Sequence, residues 1–110
     1  MWSVIKIDKK KISFFKDEIK KKLGEDCEIY IPKLHIEGIK NNKKVNKQIY
    51  LLGDYIFCFN NNFKNEKILQ HLKNTKGLKY FLNGFISAQE EILQFIKKCK
   101  SLENKEGFIK

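Results

Sequence analysis

The chain has 110 residues, 42% of them hydrophobic and 33% charged, which suffices for one domain built around one core. No apolar run approaches the roughly 20 residues that span a bilayer. The opening MWSVIKIDKKK also lacks the apolar stretch and small-residue cleavage site of a secretion signal, so the expectation is a cytoplasmic protein with no membrane contact. The formal charge of +10 invites a polyanion partner, yet every basic residue is lysine, and Asn, Ile and Lys abound while Ala and Pro occur once each. An AT-rich genome produces that bias, and arginine is the better residue for bidentate phosphate contacts, so the charge points equally to composition and to function.

WSVIKI (2–7) reads as a first strand. Asp8 can cap a following helix whose stripe is Ile12, Phe15, Ile19 and Leu23, widened by Phe14, with Gly24 as its stop. In CEIYIPKLHIEG (27–38), Cys27, Ile29 and Ile31 point one way and Glu28 and Tyr30 the other. Pro32 breaks the ladder, which makes the strand an edge or bends it there. LHI resumes an arm, NNKK (41–44) is a turn and VNKQIYLL returns, so residues 33–50 form a long lysine-rich hairpin projecting from the body.

LLGDYIFCF (51–59) is a strand that refuses to alternate, as a central strand covered on both faces need not. NNNFKN (60–65) is a loop and EKILQHLKNT (66–75) a short helix with Ile68, Leu69 and Leu72 as its apolar residues. Gly77 ends that stretch and LKYFLNG (78–84) gives a last strand and a turn. SAQEEILQFIKKC (87–99) is a helix with Ser87 and Glu90 at capping-box spacing and Ile92, Phe95, Ile96 and Cys99 as its buried stripe. Beyond residue 101 the text turns polar and reads as a tail or the start of a linker. The order β-α-β-β-β-α-β-α implies an α+β fold: a single, mostly antiparallel sheet flanked by about three helices, with a protruding hairpin.

Cys58 and Cys99 read as small buried hydrophobes, with Cys27 less determined. The count is odd, no CxxC is present and only His35 and His71 could join them, so neither metal nor cofactor is expected. No nucleotide-binding, metalloprotease or nucleophile-elbow motif occurs, and Glu90-Glu91 suit the negative first turn of a helix, so the chain is not expected to be an enzyme.

The ordered set of Trp2, Ile31-Pro32, the basic hairpin, Leu51-Leu52-Gly53-Asp54-Tyr55-Ile56-Phe57, Gly77-Leu78-Lys79-Tyr80-Phe81-Leu82 and the Ser87–Cys99 helix resembles the N-terminal (NGN) domain of NusG-family transcription factors over residues 1 to 100. The resemblance implies a factor of transcription elongation or antitermination that binds the clamp helices of the RNA polymerase largest subunit as a monomer, with some members also touching non-template or upstream DNA. Carried over to matching positions, the polymerase contacts are Leu52, Gly53, Tyr55, Phe57 and Phe81. Leu52 stands where the family has an aromatic residue, Gly53 where it has Pro and Ser3 where it has Tyr; this suggests a divergent paralogue of the specialised, RfaH-like kind. Residues 101–110 would begin the linker to a C-terminal KOW barrel, which this sequence does not contain. For nucleic acid, the candidates are Lys40, Lys43, Lys44 and Lys47 on the hairpin and Lys64, Lys67 and Lys73 around the second helix, with a solvated basic face as the competing explanation.

The alternative is an RRM-like module for single-stranded nucleic acid, in which Tyr55, Phe57 and Phe59 would stack bases. Leu52 and Ile56 depart from that motif. The two readings differ in one observable: open rings in an RRM, covered Phe57 and Phe59 in the NusG-like domain. A structural module with no polymerase contact is the third reading.

Overall fold

The computed structural model describes residues 1–109. Among the described residues six strands and three α-helices follow, one strand more than the expected β-α-β-β-β-α-β-α because the chain breaks at Pro32 between the second and third: β1 (Trp2–Ile7), α1 (Ile12–Leu23), β2 (Glu28–Tyr30), β3 (Lys33–Lys40), β4 (Lys43–Tyr50), β5 (Tyr55–Phe59), α2 (Glu66–Leu72), β6 (Leu78–Phe81) and α3 (Gln89–Leu102). The main sheet has the order β2-β5-β1-β6, antiparallel throughout, and β3 pairs with β4 in a separate two-stranded sheet. With the hairpin set aside, the chain runs β-α-β-β-α-β with each helix joining parallel strands that flank a third, which is the ferredoxin-like, split βαβ topology. The fold is α+β, as its sequence implies.

Opposite residues of an antiparallel ladder share a face, so the register sorts the side chains. Ser3, Ile5, Ile7, Ile29, Ile56, Cys58 and Phe81 lie on one face. Phe15 and Ile19 of α1, Leu72 of α2 and Phe63 join them in the core. Trp2, Val4, Lys6, Tyr30, Tyr55, Phe57, Phe59 and Tyr80 lie on the other face, where α3 packs: the rings of Phe57 and Phe95 sit 5.8 Å apart. Ile56, Phe57 and Cys58 are therefore buried in succession because β5 is interior and covered on both sides.

Local chemistry sets the boundaries. Asp8 accepts from Lys10 N–H and opens a short 3-10 turn over Lys9–Lys11 that leads into α1, and Asn65 caps α2 by accepting from Lys67 N–H. Gly77, at φ +89°, sits where a Cβ would lie 2.9 Å from the Lys11 carbonyl oxygen and 3.0 Å from Phe15 Cβ, so β6 can enter beside α1 only through glycine. Asn41 and Asn42, at φ 54° and 62°, make the paired left-handed turn that suits a tight hairpin.

Several expectations change. Ser87 does not cap α3: its hydroxyl donates to the Gly84 carbonyl, and Ala88 holds the cap position. Gln89 carries the helix entry instead, its amide N–H2 donating to the carbonyls of Trp2 and Phe85 and its Oε1 accepting from Trp2 N–H at 2.8 Å. Phe95 stays partly exposed beside Phe57, and Phe14 lies outside the α1 stripe, half in solvent beneath Lys76. The residues after 101 turn back: Tyr30 Oη donates to Glu103, Ile109 N–H donates to the Lys33 carbonyl and the Ile109 side chain is buried. Phe63, within a polar loop, is fully buried against Phe81 and Phe85.

Candidate protein-docking face

The face that α3 covers is open at one end. Lys6, Tyr55 and Tyr80 stand side by side there, because Lys6 opposes Tyr55 on one flank and Tyr80 on the other. The two phenols are hydrogen-bonded at 2.9 Å, and Lys6 Nζ lies 5.5 Å and 5.8 Å from their ring centres. The hydrogen bond to Tyr80, with some desolvation, holds the Tyr55 phenol above its usual value. The Tyr55 ring thus stays neutral around physiological pH, and Lys6 supplies the positive charge of the cluster. Tyr80 is 44% exposed and Leu82, just beyond β6, 41%.

Gly53 makes the entry to this end. At φ +65° it closes a turn in which its N–H bonds the Tyr50 carbonyl, while the Asp54 carbonyl accepts from Ile7 N–H at 2.9 Å. Asp54 also sits 3.6 Å from Lys9 Nζ in an exposed pair worth little to stability. The Gly-Asp step therefore starts β5 in register with β1 and leaves Leu52 half-buried beside Tyr55.

The five positions carried over from the family resemblance do not form one patch. Leu52, Gly53 and Tyr55 adjoin at the open end. Phe57 shares the face of Tyr55 but is only 4% exposed, enclosed by Phe95 and by Tyr30, whose ring is 6.3 Å away. Phe81 opposes Ile5 on the other face and packs with Phe63 and Phe85. It lines a separate groove of about 740 Å³, together with Leu69 and Lys73 of the α2 segment and with Tyr80, Leu82 and Ile86. Tyr80 is the residue common to the rim of that groove and to the open end.

Sequence reasoning passed over Lys6 and Tyr80. The available signal was the lone lysine in VIKI: a charge inside an otherwise apolar interior strand marks where the cover ends.

The lysines also divide. Lys40, Lys43 and Lys47 share a hairpin face with Ile36 and Val45, whereas Lys44 is on the opposite face with Ile39, 3.6 Å from Glu37. Lys64 and Lys67 are exposed around the start of α2, which lies along the β6 side of the sheet, while the hairpin leaves from the β2 side. The molecule measures 54 × 28 × 24 Å. Among the described residues, no three His, Cys, Asp or Glu side chains converge as a metal site would require, and no helix is long and apolar enough to cross a membrane. His35 rests 5.6 Å from the Phe108 ring, at the hairpin base.

No protein-family model matches the chain, and no curated protein matches it either.

Proposed function

We propose that the chain is a binding domain of the NusG N-terminal type, which docks through Leu52, Tyr55 and the adjoining Tyr80 on the clamp helices of RNA polymerase. One observation carries the reading: α3 covers the sheet face around Phe57 and leaves a surface of tyrosine rings, Tyr55 and Tyr80 with Lys6 over them, at the foot of a long basic hairpin. A helical partner needs an apolar surface of this kind, and tyrosine is a favoured anchor. In the docked domain the hairpin extends toward DNA, with Lys40, Lys43 and Lys47 as the phosphate-facing lysines. Such contacts add affinity that falls with salt and little sequence choice. Bridging the polymerase cleft would shift the enzyme away from its paused state.

The position of Phe57 under α3 argues against the RRM-like alternative, since a base cannot stack on a ring that Phe95 already touches.

The test is binding to an isolated clamp-helix fragment at two salt concentrations, wild type against Tyr55→Ala. Tyr55→Ala should weaken binding by roughly thirtyfold or more, as loss of a hot spot does, while wild-type affinity changes little with salt. Wild-type protein that ignores the fragment would remove the reading.

A further inference from the structure

Cys27 and Cys58 come from neighbouring positions of the sheet. Ile29 opposes Cys58 across the β2–β5 ladder, and Cys27, two residues earlier, falls diagonally on the same face. Their sulfurs are 3.3 Å apart. Cys58 is fully buried in an interior strand, whereas Cys27 precedes β2, is 9% exposed and borders a surface hollow of about 380 Å³. The two sulfurs therefore differ in access: a small molecule reaches Cys27 first and meets Cys58 only through it. The third thiol, Cys99, is on α3 across the sheet.

We propose that Cys27 and Cys58 are a peroxide-reactive dithiol that closes to a reversible disulfide. The Cys27 thiolate attacks one peroxide oxygen, the O–O bond breaks, hydroxide departs and is protonated, and Cys27 becomes a sulfenic acid. Cys58 sulfur then attacks the Cys27 sulfur, its proton leaves with the hydroxyl as water, and the S–S bond forms. Two thiols and one hydrogen peroxide give one disulfide and two waters, and the two electrons lost by sulfur reduce the peroxide. A dithiol reductant returns both cysteines.

Charge and mobility favour this order of events. The hydrogen bond from Cys58, aided by Lys20, holds the Cys27 thiol below its ordinary value against the opposing effect of burial. The bond to Cys27 and burial push Cys58 up, so the proton stays on the inner sulfur. Glu25 and Asp26 line the hollow beside Cys27, with Glu28 already paired to Lys100 at 3.5 Å, and the two carboxylates repel an anionic oxidant such as glutathione disulfide, which selects an uncharged peroxide. Bond formation needs the sulfurs to close from 3.3 Å to about 2.05 Å, and Cys27, outside any strand, is the one that can move.

The test exposes wild-type protein in parallel to hydrogen peroxide and to glutathione disulfide. The reaction is quenched with an alkylating agent in denaturant, and intact mass and linked peptides are read. With peroxide, the protein should lose the mass of two hydrogen atoms, keep Cys99 as its one alkylatable thiol and recover all three after a dithiol reductant. Cys99→Ser should form the same link, and Cys58→Ala should trap a dimedone adduct at Cys27. Three alkylatable thiols after a peroxide dose that oxidises free cysteine, or a link through Cys99, would overturn the pair. A faster link with glutathione disulfide would overturn the choice of oxidant.

Discussion

The four-stranded sheet and the hairpin are both antiparallel, but different forces hold them. In the sheet, successive residues of β1 and β5 are buried on both faces by three helices. In the hairpin, the two eight-residue strands are exposed or half-buried along their whole length, and Ile39 is 82% exposed. Side-chain burial specifies the first, at about 25 cal/mol for each Å² removed from water. The second depends on its turn, its backbone ladder and the neck, where Leu51 N–H bonds the Pro32 carbonyl and Ile109 N–H bonds the Lys33 carbonyl. A two-stranded sheet with both faces wet is marginal by itself. The difference teaches that the body is built to fold and the hairpin to be held out.

That contrast can be broken from the body side first. Phe63→Ala should lower global stability by roughly 3–5 kcal/mol in urea denaturation, since the ring fills the space between Phe81 and Phe85. Gln89→Ala should cost about 2 kcal/mol by the same measurement, because Trp2 N–H and C=O lose their partner at the end of β1 that β6 does not reach. In both, hairpin and body should melt together.

On the hairpin side the effects should be local. Asn42→Val places a β-branched residue at positive φ and should cost roughly 1–2 kcal/mol, read as faster amide exchange in β3 and β4 with body protection unchanged. Equal loss of protection in β1 would show that the two regions are one cooperative unit. The smallest effect concerns charge. Replacing Lys40, Lys43 and Lys47 together by Gln should leave the melting temperature alone and, if the hairpin meets DNA, reduce the salt slope of binding by roughly 2–3. Lys44→Gln, on the far face beside Glu37, should change that slope less.

Most of the framework was legible because period and punctuation agree. Gly24, Pro32, the two asparagines of the turn and Gly77 all stop elements where the pattern stops. What escaped depends on register and distance. Phe81 and Tyr55 look like neighbours in a motif, yet Phe81 opposes Ile5 while Tyr55 opposes Lys6, so strand alternation sets the two rings on opposite faces. Phe63 sits among asparagines, with no period to betray its burial. Ser87 has capping spacing, but the turn at Gly84 takes its hydroxyl. Ile109 follows a polar run and is recovered only by its bond to the hairpin base. Of the candidate site, the Leu52–Tyr55 mouth could be read from sequence, while Lys6 and Tyr80 required the ladder that brings them together.

The central place of β1 has a consequence for synthesis. Of this domain's strands β1 is made before the others, yet it takes its two partners from residues 55–59 and 78–81, and its terminal backbone groups bond Gln89, 87 positions later. Nothing made early can complete the sheet early. A nascent chain shorter than β6 carries Val4, Ile5 and Ile7 with one edge unpaired, and pairings this distant in sequence form slowly. During translation β1 therefore waits for partners made much later, and it is the apolar segment that a chaperone would meet unpaired.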